Sequence, residues 1–241
     1  ELPFEDEFFD VVWCNGVLMH TKNPAVTLRE IIRVLRVGGE SWIYVYGAGG
    51  IYWRLMATFR RTFAELDPET IIEVLSKSGL PTGRIAEMLD DWKAPFLRAY
   101  TNELFSAALQ ELDCASSRLM RGMDYDTSEH LVRGGSPEML GNGDLRYMVT
   151  RKSKDLDTLS EATGTELNGS HIVEVEASKV HSDHDLEARL NWVLLKFENT
   201  YASSPIDGVN KAAQAQLLLR DEFLVNPVPE SINGVLAMLE N

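Results

Sequence analysis

Residues 8–46 change hydrophobic period twice, and that change constrains the fold more than anything else in the chain. An apolar strand, Asp10 to Cys14, runs into a short polar turn. An amphipathic helix, Ala25 to Val37, follows, with Leu28, Ile31, Ile32 and Leu35 on one face. Asn23-Pro24 opens that helix, and Gly38 is expected to close it as a left-handed cap. After Gly38-Gly39 comes Ser41 to Tyr46, whose β-branched and aromatic residues have the composition of a buried parallel strand. Strand, helix and strand in this order form a crossover. Such crossovers join parallel strands and are almost always right-handed, so the chain is expected to be an α/β protein.

The wording of this stretch is also specific. Leu2-Pro3-Phe4, Phe9-Asp10-Val11-Val12, Gly16-Val17-Leu18-Met19-His20, Asn23-Pro24 and Arg33-Val34-Leu35-Arg36-Val37-Gly38-Gly39 occur in succession. Together they resemble the second half of a class I S-adenosylmethionine-dependent methyltransferase of the type 11/12 kind. The resemblance implies a Rossmann-like sheet and S-adenosylmethionine as cofactor. A methyltransferase of this class opens with a Gly-rich turn after its first strand and carries an acidic residue after the second. Neither precedes Leu2, and Gly47-Ala48-Gly49-Gly50 follows the wrong strand with the wrong spacing. The expectation is an N-terminally truncated methyltransferase sheet, in a chain that begins inside its cofactor-binding domain.

Past Gly50, Ile51 to Phe63 reads as a helix, and Asp67-Pro68 starts another over Glu69 to Ser78, stopped by Gly79 and Pro81. Thr82 to Leu89 reads as a short third helix, with Asp90-Asp91-Trp92-Lys93-Ala94-Pro95 breaking the pattern. Thr101 caps an amphipathic helix reaching Asp113. Cys114–Arg121 and Leu145–Arg151, the second preceded by the turn Gly141-Asn142-Gly143-Asp144, are expected to pair as the antiparallel hairpin that closes the sheet. Residues 1–152 thus read as the C-terminal part of a methyltransferase domain, with a helical insertion at 51–98. Residues 153–241 read as a linker and a mostly helical appendage: a loop from Ser153 to Gly169, a strand over Ile172–Ala177, then helices over Leu186–Tyr201, Val209–Phe223 and Ile232–Leu239.

Composition narrows the partners. With 241 residues, 44% of them hydrophobic and 25% charged, the chain can bury a sizeable core. A net charge of −14 argues against binding a phosphate backbone, because nucleic-acid affinity depends on Lys and Arg neutralising phosphates. No apolar run approaches the roughly 20 residues that span a bilayer. Cys14 and Cys114 are the only cysteines, too few for a disulfide framework, so a cytoplasmic protein is expected. The triplet Asn168-Gly169-Ser170 would carry no glycan there.

In open parallel sheets ligands lie beyond the carboxyl ends of the strands. The turn Cys14-Asn15-Gly16-Val17 is therefore expected to face the methyl donor, or else to be a plain turn in which Asn15-Gly16 supplies positive φ. The resemblance adds Leu2, Pro3 and Phe4 to the cofactor contacts, together with His20. It also makes His20 the candidate general base, since an imidazole can take the proton from a hydroxyl as the methyl moves. The other reading has His20 fixing the turn by a hydrogen bond, and Met19 stands where many relatives carry a second His. Tyr46, Tyr52 and Trp53 flank the Gly47–Gly50 loop, where they would either wall an acceptor pocket or belong to the core. Arg121 and Asp124 would orient a polar acceptor or form surface ion pairs. His181 and His184 with Asp183 and Asp185 resemble metal ligands, but with no further His or Cys nearby they read as a solvated loop before a helix, and no metal is expected.

The expected function is methyl transfer from S-adenosylmethionine to a small molecule, most simply to an oxygen. The alternative is a non-catalytic remnant or subunit that keeps the fold as a protein-interaction module. An unpaired Val11–Cys14 edge would invite another chain, including self-association. A nicotinamide-dependent reductase is disfavoured because no Tyr-x-x-x-Lys occurs.

Overall fold

The computed structural model describes residues 1–118, 144–155, 158–169, 184–225 and 229–240. In chain order its first elements are β1 (Phe9–Asn15), a 3-10 turn (Leu18–His20), α1 (Pro24–Val34), β2 (Leu35–Tyr46), α2 (Gly50–Thr62), α3 (Pro68–Lys77) and α4 (Thr82–Lys93). They are followed by α5 (Asn102–Glu111), β3 (Cys114–Arg118), β4 (Asp144–Arg151), α6 (Glu161–Gly169), α7 (His184–Tyr201), α8 (Pro205–Val225) and α9 (Pro229–Glu240). The chain divides into two compact units. One holds Glu1–Gly49, with the described residues of Pro95–Glu129 and Gly141–Ile172; the other holds Gly50–Ala94 and the described residues of Val173–Asn241.

The first unit is a four-stranded sheet in the order β1-β2-β4-β3. β1 and β2 are parallel and joined through α1, as the strand–helix–strand pattern requires, while β2 with β4 and β4 with β3 are antiparallel. Alternate residues of the strands, among them Cys14, Ile43, Val45, Tyr147 and Val149, point into one core with Leu28 and Ile32 of α1 and Phe105 and Leu109 of α5. β1 lies at the edge, with no described strand on its outer side.

The helix expected to reach Val37 ends at Val34, and Leu35 to Val37 belong to β2. Strand pairing overrides the helical stripe: Leu35 lies opposite Phe9, and the register then jumps to Val11 opposite Glu40. The glycines absorb that jump. Gly38 has φ +79°, and a Cβ on Gly39 would lie 2.9 Å from the Arg36 carbonyl oxygen and 3.0 Å from that of Asp10. Gly38-Gly39 is therefore a bend where β2 joins β1. The helix cap comes from elsewhere: Nη1 of buried Arg151 donates to the carbonyls of Ile32, Arg33 and Leu35 at 3.3, 3.0 and 2.7 Å.

The polar stretch expected as a loop contains α6. Glu111 of α5 accepts from Ser160 N at 2.7 Å and from Thr163 Oγ1 at 2.6 Å, and Leu167 is fully buried in the sheet core. Long-range partners, not local periodicity, hold this helix, and they place it with the sheet and not with the tail.

The second unit is helical. The insertion and the tail, expected as separate pieces, share one core: Phe59, Phe63, Leu75 and Trp92 pack with Val193, Phe197, Ala212 and Leu236. Each group of helices carries an apolar stripe that the other covers, and the Phe59 and Phe197 rings lie 5.2 Å apart. α4 runs on to Lys93, so Asp91 and Trp92 do not break it. Both are buried, yet both are satisfied by α8: Gln216 accepts from Trp92 Nε1 at 2.8 Å and donates to Asp91 Oδ2 at 2.6 Å. The expected strand Ile172–Ala177 lies outside the described residues. Among the described residues no helix is long and apolar enough to cross a membrane.

Candidate active site

β1 stops because the chain reverses at Gly16, whose φ of +72° falls in the left-handed region. The Gly16 amide donates to the Tyr44 carbonyl at 3.2 Å, tying the turn to β2. Leu18 and Met19 then plug the core, both fully buried, so Met19 is a packing residue. The 3-10 turn delivers His20 to the carboxyl ends of the parallel strands. There the His20 ring meets the Tyr46 ring edge to face at 5.7 Å, and Tyr46 meets Tyr44 at 5.8 Å. The Arg146 guanidinium lies 5.1 Å from the Tyr44 ring centroid, so Asn15, Tyr44 and Arg146 form a row across β1, β2 and β4.

His20 Nδ1 lies 3.0 Å from the Phe96 carbonyl oxygen. A carbonyl oxygen only accepts, so Nδ1 carries the proton, and in the neutral ring Nε2 holds the lone pair. Phe96 belongs to a strap running from Pro95 to Tyr100. The Tyr100 amide donates to the Tyr46 carbonyl at 2.8 Å, and the Tyr100 carbonyl accepts from Ala48 N at 2.7 Å. The Tyr100 hydroxyl is buried without a hydrogen-bond partner among the described residues, and burial pushes the phenol well above its ordinary range.

The structure gathers Asn15, Gly16, Val17, His20 and Tyr46 at this strand end. Cys14 turns its thiol into the core, where burial raises its pKa against the lowering effect of hydrogen bonds from the Leu18 and Val17 backbone of the turn. The Asn15 side chain faces β2, its Oδ1 accepting from Trp42 Nε1 at 3.1 Å. Leu2, Pro3 and Phe4 sit at the opposite end of β1. Glu30 Oε2 accepts from Leu2 N at 2.8 Å, and the Phe4 ring packs 4.8 Å from that of Phe9. The Phe4 ring thus lies beside the start of β1, whose seven residues span about 20 Å to Asn15. Tyr52 and Trp53 belong to the helical unit, where the Tyr52 hydroxyl donates to Asp91 Oδ2 at 2.6 Å and the two rings pack edge to face. Both side chains are half-buried against the helical core. Arg121, Asp124, His181 and Asp183 lie outside the described residues. Among the described residues no group of three or more His, Cys, Asp or Glu side chains is placed to hold a metal.

Sequence reasoning missed the Phe96 carbonyl, Arg98, Tyr44 and Arg146. Arg98 carried the one visible signal, a lone cation in the apolar stretch Pro95-Phe96-Leu97-Arg98-Ala99-Tyr100.

Residues 1–43 match the family model of the methyltransferase domain. No curated protein matches the chain. Among solved structures, the chain is similar to one from the complex between the Haloferax volcanii Trm112 methyltransferase activator and a protein described as a methyltransferase, at 16% identity and a TM-score of 0.35. That match covers 64% of this chain, which spans 58% of the other. A protein from Bacillus halodurans C-125, also described as a methyltransferase, is similar at 15% identity and a TM-score of 0.32, covering 64% of this chain and 74% of that one. The segment that builds β1, α1 and most of β2 is thus similar to part of a methyltransferase domain.

Proposed function

We propose that this chain takes part in S-adenosylmethionine-dependent methyl transfer to an oxygen of a small molecule, with His20 as general base. The carrying observation is the Phe96 carbonyl on His20 Nδ1, 3.0 Å away, which leaves the Nε2 lone pair to accept a proton beside the carboxyl ends of β1 and β2. Backbone groups of Asn15 to Val17 would border the donor, and the Tyr46 ring offers an aromatic surface suited to a cationic sulfonium. Bound S-adenosylmethionine supplies the electrophilic methyl group. The protein's part is to orient the acceptor hydroxyl, exclude water and take its proton at His20 Nε2. The charge of −14 favours a small acceptor over a nucleic acid.

Calorimetry with S-adenosylmethionine and a turnover assay over hydroxyl and carboxyl acceptors test the reading. His20→Asn keeps a structural hydrogen-bonding group but cannot take the proton, so turnover should fall by roughly 100-fold with donor affinity nearly unchanged. Near-normal turnover in that variant would remove His20 from the chemistry.

A second reading, a protein-interaction module that pairs with another copy of itself, draws on the β1 edge. Val11 is 64% exposed and Trp13 63% exposed on a strand whose outer side has no described neighbour.

A further inference from the structure

We propose that Arg98 is a positioning residue that sets the tautomer of His20. The inference rests on the reading of His20 as base only for its effect on turnover; the geometry stands apart from it. Arg98 is 3% exposed and sits two residues beyond Phe96. Its guanidinium donates from Nη1 to the Thr21 carbonyl at 2.6 Å, from Nη2 to the Lys22 carbonyl at 3.2 Å and from Nε to the Asn168 carbonyl at 2.9 Å. Asn168 in turn accepts from Ala25 N at 3.1 Å through Oδ1, which ties α6 to the first turn of α1. One planar fork therefore joins the strap that carries Phe96 to the two residues that follow His20.

The consequence is geometric. The Phe96 carbonyl can meet His20 Nδ1 only while the strap and the His20 turn keep a fixed separation. The Tyr100 backbone pins the far end of the strap to β2, and Arg98 pins its near end to Thr21 and Lys22. Guanidinium suits this role because its donors are rigid and permanently charged, and backbone carbonyls are acceptors alone. With the clamp in place the neutral imidazole holds its proton on Nδ1 and presents Nε2. Without it, the ring reverts to the mixture in which the Nε2–H form of unconstrained histidine predominates, and a base at Nε2 is lost.

Long-range 1H–15N correlation spectra of the 241-residue chain read the tautomer directly, with His20→Gln identifying the His20 signals. The wild-type ring should be in the Nδ1–H form. Arg98→Met should move most of the population to Nε2–H, and Arg98→Lys, which keeps the charge but replaces the rigid fork with a single nitrogen, should fall between. A wild-type ring in the Nε2–H form overturns the proposal, as does a folded Arg98→Met ring that stays Nδ1–H. If Arg98→Met does not fold, Arg98→Lys decides, and an unchanged Nδ1–H population in it overturns the clamp. Turnover separates the two readings. A tautomer shift in Arg98→Met, with His20→Asn at normal turnover, keeps the clamp and removes the general base. If both hold, Arg98→Met lowers kcat about tenfold or more with KM for the donor nearly unchanged.

Discussion

At the scale of single residues, buried ionic groups in the sheet unit serve the backbone. Arg151 and Arg98 spend their donors on carbonyls, and Glu30 and Arg33 form a pair that also fastens the first residues of the chain. Arg33 Nε lies 2.8 Å from Glu30 Oε1, with both side chains largely buried. Arg33 hydrogen-bonded to Glu30 holds that carboxyl at about 2, well below its usual range. The linkage sign follows: a carboxyl whose folded pKa is depressed contributes stability above its unfolded pKa, and that contribution is lost as pH falls through about 2. Glu30→Ala should therefore cost about 2 kcal/mol near neutral pH and progressively less from pH 5 down to about 2. Urea midpoints of the two proteins across that range check it, and a pH-independent difference would show that packing, not charge, dominates there.

At the scale of elements, the crossover was legible because its two strands and its helix differ in period over only 39 residues, and each piece is amphipathic or apolar enough to declare itself. The end of α1 was not legible. Leu35 fits the helical stripe as well as it fits β2, and only the pairing with Phe9 decides between them. The Gly38-Gly39 pair was visible, but its role as a bend depends on how closely Asp10 O approaches Gly39. Gly39→Ala should consequently destabilise the sheet unit by about 2 kcal/mol, because two of the three crowding atoms, the Arg36 and Asp10 carbonyl oxygens, are backbone and cannot swing away. Gly38→Asn, a residue that tolerates positive φ in open space, should cost less. Thermal melts of both variants give the comparison, and equal losses would count against the close-contact account of Gly39.

At the scale of the whole molecule, the outer edge of β1 carries the clearest prediction about association. Antiparallel pairing of β1 with β1 of a second copy in the register that sets the Val11 of each opposite the Trp13 of the other brings these exposed side chains into cross-strand contact. Sedimentation should show a dimer that strengthens at raised ionic strength, since a net charge of −14 on each copy is then screened. Val11→Lys should return it to monomer, as an edge lysine does in natural sheets. A wild-type monomer at high concentration would remove this reading.

Periodicity and motif order by themselves determined the α/β class, the parallel β1–β2 pair, the closing antiparallel strands and the place of His20 at a strand end. These depend on local pattern and on the handedness of the crossover, which every window of the sequence carries. Only the tertiary structure decided that the insertion and the tail share one core, that α6 belongs with the sheet, and that Leu2 is held by Glu30. It also decided which nitrogen of His20 faces the Phe96 carbonyl. Each of these depends on partners distant in sequence, such as Phe59 with Phe197, Glu111 with Thr163 and His20 with Phe96, and no local pattern encodes which distant group will be there.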